Sequence, residues 1–338
     1  MKVQSLYRAS AGFRSHQSLS LNNMKAGPLF YLSTILAGAS ALPSLGSLSA
    51  QRDIAHIAYD EDNGQFMAFK CDGSLYGRYI TRGPLLSGRS AGQCVNLTVD
   101  EAKSLPGWGT IEKYANDNWG DGSRNIVTNP TDYPGSPAQV CVSGDPVKVE
   151  LDGDPQCQDR KVDNVSGTAG TNGSVTLQIQ QGSNMTSEYT VTTVSTLGIS
   201  NTFSVSLGIP LLDDVAEASV GDETTVSSEV TNEQTKSFAA TYSDVATIAR
   251  TIDTEDGKTC SVDLTLHSCT AKSKAQIRYV ATGFVWFNYN DKTKGHYKWA
   301  AKIDSILSNE DDRSSFAEIQ GPIASDTHSS SNATCVDS

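Results

Sequence analysis

The sequence predicts a mainly β fold, in which a module of long antiparallel strands follows a smaller β-rich N-terminal domain. Short runs that alternate between apolar and polar residues recur after residue 50, and this alternation is typical of strands with one buried face. Clusters of Gly, Asn, Asp and Pro separate the runs, as expected of turns. With 338 residues, 38% hydrophobic and 19% charged, the chain is globular and long enough for two domains.

The first 50 residues have the features of a leader. Met24 and Lys25 precede an apolar run at 28–39, and cleavage points of small residues follow at 39–41 and 48–50. This order of regions is that of a secretory signal peptide. We therefore expect Met24 to be the true start, residues 1–50 to be absent from the mature protein, and the protein to be secreted and extracellular. The alternative is an unusually long basic region before the apolar run.

A proline-rich stretch at 129–137 is the best candidate for a linker. Residues 51–135 then form the N-terminal β-rich domain, with strands at 54–59 and 65–71 and a short helix at 99–104. Residues 138–323 form the strand-rich module, and residues 324–338 a Ser-rich tail that we expect to fray.

Two tryptophans of the first domain, Trp108 and Trp119, lie in glycine-rich stretches that resemble loops. Aromatic side chains in such loops can stack on sugars, which would give this domain a glycan-binding role. The favoured interpretation is that both side chains pack in a small core.

The second part of the chain is almost wholly β. Alternation predicts strands at 147–151, 174–180, 187–196, 260–267 and 274–289. The last two are expected to form a hairpin that turns at 270–273. A final pair of helices or strands is expected at 299–306 and 316–323.

Residues 201–236 contain the most regular alternation of the chain. The apolar positions alternate with small or polar ones and are Phe203, Val205, Leu207, Ile209 and Leu211. A kink at 210–214 follows, and a second Ser/Thr-rich segment runs on to about Ile248. The apolar face has less bulk than a core strand usually has. We therefore expect a long amphipathic hairpin that can rest on a protein surface or line a polar lumen against lipid.

Secretion makes the seven cysteines candidates for disulfides. Because seven is an odd number, one of them must be free or bonded to another molecule. The pairs expected from proximity in sequence are Cys71 with Cys94 and Cys141 with Cys157. A bond between Cys260 and Cys269 conflicts with the strand between them, since nine strand steps span about 30 Å and a disulfide needs Cα atoms about 5–6 Å apart. The partners of Cys260, Cys269 and Cys335 stay open.

Secretion also makes the N-x-Ser/Thr sequons candidates for glycosylation. They are Asn96, Asn164, Asn172, Asn184 and Asn332.

The sequence contains no motif that indicates catalysis or a cofactor. The histidines share no metal-ligand spacing, and no nucleophile elbow, C-x-x-C pair or phosphate-binding glycine loop is present. The net charge of −12 argues against nucleic acid, because binding of phosphates needs clustered Lys and Arg. We therefore expect neither an enzyme nor a metal or other cofactor.

The segment 204–212, SVSLGIPLL, resembles the aerolysin / epsilon-toxin superfamily of β-pore-forming proteins, which includes the natterin-like proteins. In that family a Ser/Thr-rich strand runs into an apolar tip with a Pro-Leu core and is followed by a second Ser/Thr-rich strand. Segments 257–266 and 275–289 are similar to the hairpin that closes the family's pore module, so the resemblance covers about 138–290. The acidic residues after the tip depart from the family pattern, because a membrane-crossing strand usually carries fewer charges; they are Asp213, Asp214, Glu217, Asp222 and Glu223. These charges would be tolerated on the lumen side, whereas on the lipid side each would cost a few kcal/mol.

The resemblance implies an elongated pore-forming module and a receptor-binding N-terminal domain. The protein would be a monomer in solution, bind a target-cell membrane through an unknown surface receptor, for which a glycan is one candidate, and form a homo-oligomer there. The residues that would insert are Phe203, Val205, Leu207, Ile209, Pro210, Leu211, Leu212, Ala216, Ala218 and Val220. The main alternative is a non-lytic secreted lectin or adhesin on the same architecture, and a secreted enzyme is a third.

Overall fold

The computed structural model describes residues 53–80, 93–133, 135–169, 173–210, 212, 223–254 and 258–337. All of them belong to one compact unit, Leu42–Ser338. The predicted leader lies outside the described residues. Long antiparallel strands dominate this part of the chain, which confirms the predicted fold class.

Strands of very different length follow one another along the chain. They are β1 (Ile54–Asp60), β2 (Gln65–Lys70), β3 (Leu75–Ile80), β4 (Cys94–Asn96), β5 (Arg124–Val127), β6 (Ala138–Val142), β7 (Val147–Lys148), β8 (Glu150–Leu151), β9 (Gln156–Ala169), β10 (Gly173–Thr193), β11 (Thr202–Pro210), β12 (Glu223–Thr231), β13 (Ser237–Thr254), β14 (Lys258–Thr293), β15 (His296–Lys302) and β16 (Ser314–Asp337). The helices are α1 (Val99–Lys103), α2 (Trp108–Trp119) and α3 (Ile303–Ile306). The strands form a 13-stranded sheet and a separate sheet of β12, β11 and β7.

The central element is β14, a single strand of 36 residues. Along one edge it pairs with β16 and then β15, and along the other with β9, β8, β6 and β5. The hairpin predicted with a turn at 270–273 is therefore wrong. Segment 270–273 holds no Gly or Pro to turn the chain, and Ser273 instead pairs with Leu151 on one side and Gly321 on the other.

The strand β14 changes partners at Gly283. On one edge, pairing with β6 ends at Gly283 and pairing with β5 begins at Trp286. On the other edge, pairing with β16 ends at Val280 and pairing with β15 begins at Phe284. Gly283 has a φ of +90°, and a Cβ atom there would overlap the carbonyl oxygen of Pro137. The backbone of the predicted linker thus lies directly against β14, and the indole Nε1–H of the buried Trp286 donates a hydrogen bond to the Ser136 carbonyl at 2.9 Å. The domain boundary predicted at this point stays a prediction.

The predicted strands at 54–59 and 65–71 are confirmed as β1 and β2, and β1 pairs with β15. The predicted loops around Trp108 and Trp119 are wrong, because the two residues begin and end α2. Trp119 is buried and stacks on Trp299 with ring centroids 5.4 Å apart, and Trp108 stacks on Phe287. Core packing therefore accounts for both tryptophans.

A buried histidine belongs to the same core. His56 stacks on Phe69 with centroids 4.9 Å apart, and its Nδ1 lies 2.7 Å from the Tyr114 hydroxyl. Burial, with a smaller effect of Lys294, lowers the pKa of His56 to about 4. The imidazole is therefore neutral at physiological pH and acts as a core residue.

The disulfide pairs expected from proximity in sequence are wrong. Cys94 is bonded to Cys141 and Cys157 to Cys269, while Cys71 is exposed and free. Antiparallel pairing places strands that are remote in sequence side by side, and sequence proximity does not report this.

Two other expectations fail at the ends of strands. The second Ser/Thr-rich segment does not continue to Ile248, because β12 ends at Thr231 and the chain turns before β13, which pairs with β10. The tail predicted to fray at 324–338 continues β16 as far as Asp337, where it pairs with β14.

We predict that Gly283→Ala destabilises the protein much more than Gly295→Ala. Both glycines have a φ near +90°, so each alanine costs about 1–2 kcal/mol of backbone strain. Only at Gly283 does the added methyl group meet backbone atoms, whereas open space surrounds Gly295. In thermal unfolding we expect a Tm lower by a few degrees for Gly295→Ala and by about 10 °C or more for Gly283→Ala. Equal shifts would contradict the close approach of the Pro137 backbone to Gly283.

Candidate functional site

The segment at 201–236 forms a separate antiparallel hairpin. Its strands, β11 and β12, have nine residues each and pair in register from Thr202–Thr231 to Pro210–Glu223. The alternating pattern predicts this arrangement because opposed residues of an antiparallel pair project on the same side. Leu212 follows β11 and is buried, and its carbonyl accepts a hydrogen bond from the Ser325 hydroxyl at 2.9 Å.

One face of the hairpin is buried along β11, and at Phe203 it packs on β14. Phe203, Val205, Leu207 and Ile209 are all at most 1% exposed. The Phe203 ring packs edge-on against Tyr279 of β14, with ring centroids 4.9 Å apart. Burial of each such apolar side chain contributes roughly 1.5–3 kcal/mol, so this face holds the hairpin in place.

The partner strand completes the same face with smaller side chains. Thr224, Val226, Ser228 and Val230 stand opposite Ile209, Leu207, Val205 and Phe203 in the register. Of the predicted inserting residues, Leu211, Ala216, Ala218 and Val220 lie outside the described residues. Pro210 is buried at the end of β11. The residues of β12 on the apolar face were missed because that strand alternates only weakly between apolar and polar side chains.

The other face of the hairpin is hydrophilic. The hydroxyls of Thr202 and Thr231 lie 2.8 Å apart, and Ser204 stands opposite Glu229. Glu223 and Glu229 are exposed on this side. The acidic residues of β12 that the structure describes therefore lie away from the apolar face. Asp213 and Asp214 lie outside the described residues.

The backbone of the hairpin is joined to the rest of the structure by few described ladder pairs. β11 pairs in parallel with β7 at Leu207–Val147 and Gly208–Lys148. The Val149 N–H donates to the Gly208 carbonyl at 3.0 Å. Side-chain packing, rather than a long hydrogen-bonded ladder, therefore attaches the hairpin to the structure.

A buried asparagine fixes the base of the hairpin. The Oδ1 of Asn232 accepts a hydrogen bond from the Ser195 N–H at 3.0 Å, and its Nδ2 donates to the carbonyls of Ser195 and Leu197 at 3.0 and 2.8 Å. Next to this anchor Ser200 and Thr235 have φ values of +60° and +63°, which non-glycine residues rarely adopt. The two chain segments that enter and leave the hairpin thus bend sharply at its base.

A carboxylate of the N-terminal part also holds this base. Glu101 caps α1 by accepting hydrogen bonds from the N–H and hydroxyl of Thr98, both at 2.8 Å. Its other oxygen accepts from the backbone N–H groups of Gly198 and Ile199 at 2.7 and 3.3 Å. The sequence indicates the capping box, because Thr98 and Glu101 are three residues apart, but not the second contact.

Several other predicted features can be located. Asn96 and Asn184 are exposed, Asn164 and Asn332 lie in β9 and β16, and Asn172 lies outside the described residues. Within the described part of the chain, no group of three or more His, Cys, Asp or Glu residues is arranged to hold a metal ion. No helix among the described residues is long and apolar enough to cross a membrane.

No protein-family model matches the chain, and no curated protein gives a significant match. Among solved structures it is similar to the parasporin-2 toxin of Bacillus thuringiensis, at 16% identity over 72% of this chain and 97% of that one, with a TM-score of 0.31. The Mpp75Aa1.1 β-pore-forming protein from Brevibacillus laterosporus gives 16% identity over 70% and 87%, with a TM-score of 0.31. A lamprey immune protein gives 11% identity over 84% and 76%, with a TM-score of 0.23.

We predict that Asn232→Ala loosens the hairpin, whereas Asn201→Ala does not. The first change leaves the Ser195 N–H and the Leu197 carbonyl buried without their partner, which costs about 2–3 kcal/mol. Asn201 is exposed and donates one hydrogen bond to the Ile199 carbonyl, so we expect its loss to cost less than about 0.5 kcal/mol. Hydrogen exchange should accelerate in β11 and β12 of Asn232→Ala but not in β14. Unchanged exchange in the hairpin would contradict the role of Asn232 as its anchor.

Proposed function

We propose that this is a secreted β-pore-forming protein that binds a target membrane, oligomerises and inserts the β11–β12 hairpin into a transmembrane barrel. One observation carries the proposal. The hairpin has an apolar face that is fully buried along β11, a hydrophilic face rich in hydroxyl groups, and only two described ladder pairs with its neighbour β7. The proposed action is assembly rather than catalysis.

The length of the hairpin supports this proposal. Each strand has nine residues, which at about 3.4 Å per residue spans about 30 Å. A transmembrane β-strand needs about 9–11 residues. The alternation of apolar and polar side chains is also that of a barrel strand, with one face toward lipid and the other toward a water-filled lumen.

Oligomerisation follows from the backbone. Hydrocarbon offers no partner for N–H and C=O groups, so strands can cross it only in a closed barrel. One hairpin contributes two strands and leaves both outer edges unpaired. Neighbouring copies would satisfy those edges, and lipid would replace β14 as the partner of Phe203, Val205, Leu207 and Ile209.

Secretion is supported by the disulfides. Cys94–Cys141 and Cys157–Cys269 join strands of the main sheet, and such bonds persist in oxidising compartments. The proposal also includes a monomer in solution and an unknown surface receptor, for which a glycan is one candidate.

Two adjacent threonines give a matched test of the orientation in the membrane. Thr224 shares the apolar face with Ile209, and Thr225 points to the opposite side and is exposed. We predict that an environment-sensitive fluorophore on Thr224→Cys is quenched by spin-labelled phosphatidylcholine, while the same fluorophore on Thr225→Cys is quenched by aqueous iodide. Both changes are made in a Cys71→Ser background to remove the exposed thiol. Steady-state fluorescence on membranes that carry the oligomer measures both responses.

Equal access of both quenchers to the two positions would contradict an inserted barrel. If phosphatidylcholine–cholesterol vesicles and several cell types give neither oligomers nor dye release, the pore-forming function is wrong, and a non-lytic lectin or adhesin is the remaining interpretation.

A second prediction tests whether the hairpin must leave its site. Leu207 and Val147 are register partners, so the double variant Val147→Cys/Leu207→Cys should form a disulfide between the hairpin and β7. We expect the oxidised variant to bind membranes but release at least tenfold less dye than after mild reduction. Val147→Cys alone, treated in the same way, controls for effects of the oxidant and reductant. Full leakage by the oxidised variant would show that the hairpin does not move.

A further inference from the structure

Two cysteines that have no assigned partner stand directly opposite each other. In the antiparallel pair of β14 and β16, Cys260 is the register partner of Cys335. Opposed residues of an antiparallel pair have Cα atoms about 4.5–5.5 Å apart, within the range that a disulfide spans. The backbone alone therefore brings these two residues within bonding reach.

Both disulfides that the structure describes follow the same rule. Cys94 is the register partner of Cys141 across β4 and β6, and Cys157 is the register partner of Cys269 across β9 and β14. Their Cα atoms lie 4.1 and 4.0 Å apart. In both bonds, therefore, the two cysteines stand directly opposite each other across an antiparallel strand pair.

We propose that Cys260 and Cys335 form a third disulfide, which links β14 to β16. This bond also accounts for the odd number of cysteines. Three bonds use six of the seven, and the one left is Cys71, which is exposed and free.

The bond forms by thiol–disulfide exchange with a disulfide of an export-compartment oxidoreductase or with oxidised glutathione. One protein thiolate attacks a sulfur of that oxidant, and the released sulfur leaves as a thiol. The second protein thiolate then attacks the mixed disulfide. The two cysteines lose two electrons and two protons in total, and the oxidant is reduced to two thiols.

The structural consequence is that β14 is tied along both edges. Cys269 links it to β9, and Cys260 would link it to β16 close to the C-terminal end of that strand, at Asp337. The end of a chain otherwise tends to fray. The described strands of the hairpin, β11 and β12, contain no cysteine, so the cross-links leave it free to separate while the strands beneath it stay paired.

Thiol counting on the secreted full-length protein tests the proposal. The protein is denatured without reductant, alkylated with N-ethylmaleimide and weighed by mass spectrometry. We expect one adduct per chain, mapped to Cys71, and no adduct in Cys71→Ser. In Cys335→Ser we expect two adducts, the additional one at Cys260. A non-reduced digest should contain a peptide pair that joins the segments of Cys260 and Cys335 and separates on reduction.

Three adducts on the unaltered protein, at Cys71, Cys260 and Cys335, would overturn the proposal, as would a linked peptide that joins either of the latter two to Cys71. If Cys335→Ser is not secreted, the digest of the unaltered protein decides alone. The assay reads no membrane activity, so its outcome is independent of whether the protein forms pores.

Discussion

The structure depends on the hydrogen bonding of one strand along both of its edges. A strand of 36 residues exposes two rows of backbone groups, and burying them without partners would cost far more than folding can supply. β16 and β15 satisfy one row of β14, and β9, β8, β6 and β5 satisfy the other. Because these partners lie between residues 124 and 337, β14 joins strands that are remote from one another in sequence.

The same constraint distinguishes the strands that are held by long ladders from the hairpin that is proposed to leave. Removing β16 or β9 would break a long ladder, and at Cys157–Cys269 a covalent bond as well. The hairpin instead packs on β14 through Phe203 and Tyr279 and donates a hydrogen bond from Ser228 to the Ala239 carbonyl of β13, and it has two paired positions with β7. Lipid can replace apolar side-chain contacts of this kind. It cannot replace the hydrogen bonds of a broken ladder, because backbone groups in hydrocarbon need other strands as partners.

Local patterns made some of this predictable. The period-2 alternation from Phe203 to Ile209 gave the buried face of β11, and the strands β1 and β2 followed from the same signal. The length of β14 could not be derived, because which strands satisfy its edges is decided by residues far away in sequence. The disulfide pairs and the contact of Glu101 with Gly198 could not be predicted for the same reason. The helix α2 was missed because glycines flank Trp108, although Ile111, Ala115 and Trp119 repeat at helical spacing and are buried.

If the hairpin inserts as proposed, its register would let one sequence suit two surroundings. Ser204, Ser206 and their partners Glu229 and Ser227 lie on the outer face of the hairpin and would face water in a lumen. Phe203 and Leu207 are buried against protein here and would be buried against lipid there. Pro210 is the exception, because it is buried here but stands opposite the exposed Glu223, on the side that would face the lumen. For the other described side chains insertion would change the neighbours of the hairpin but not its pattern of burial, and the driving force would have to come from the pairing of its edges with other copies.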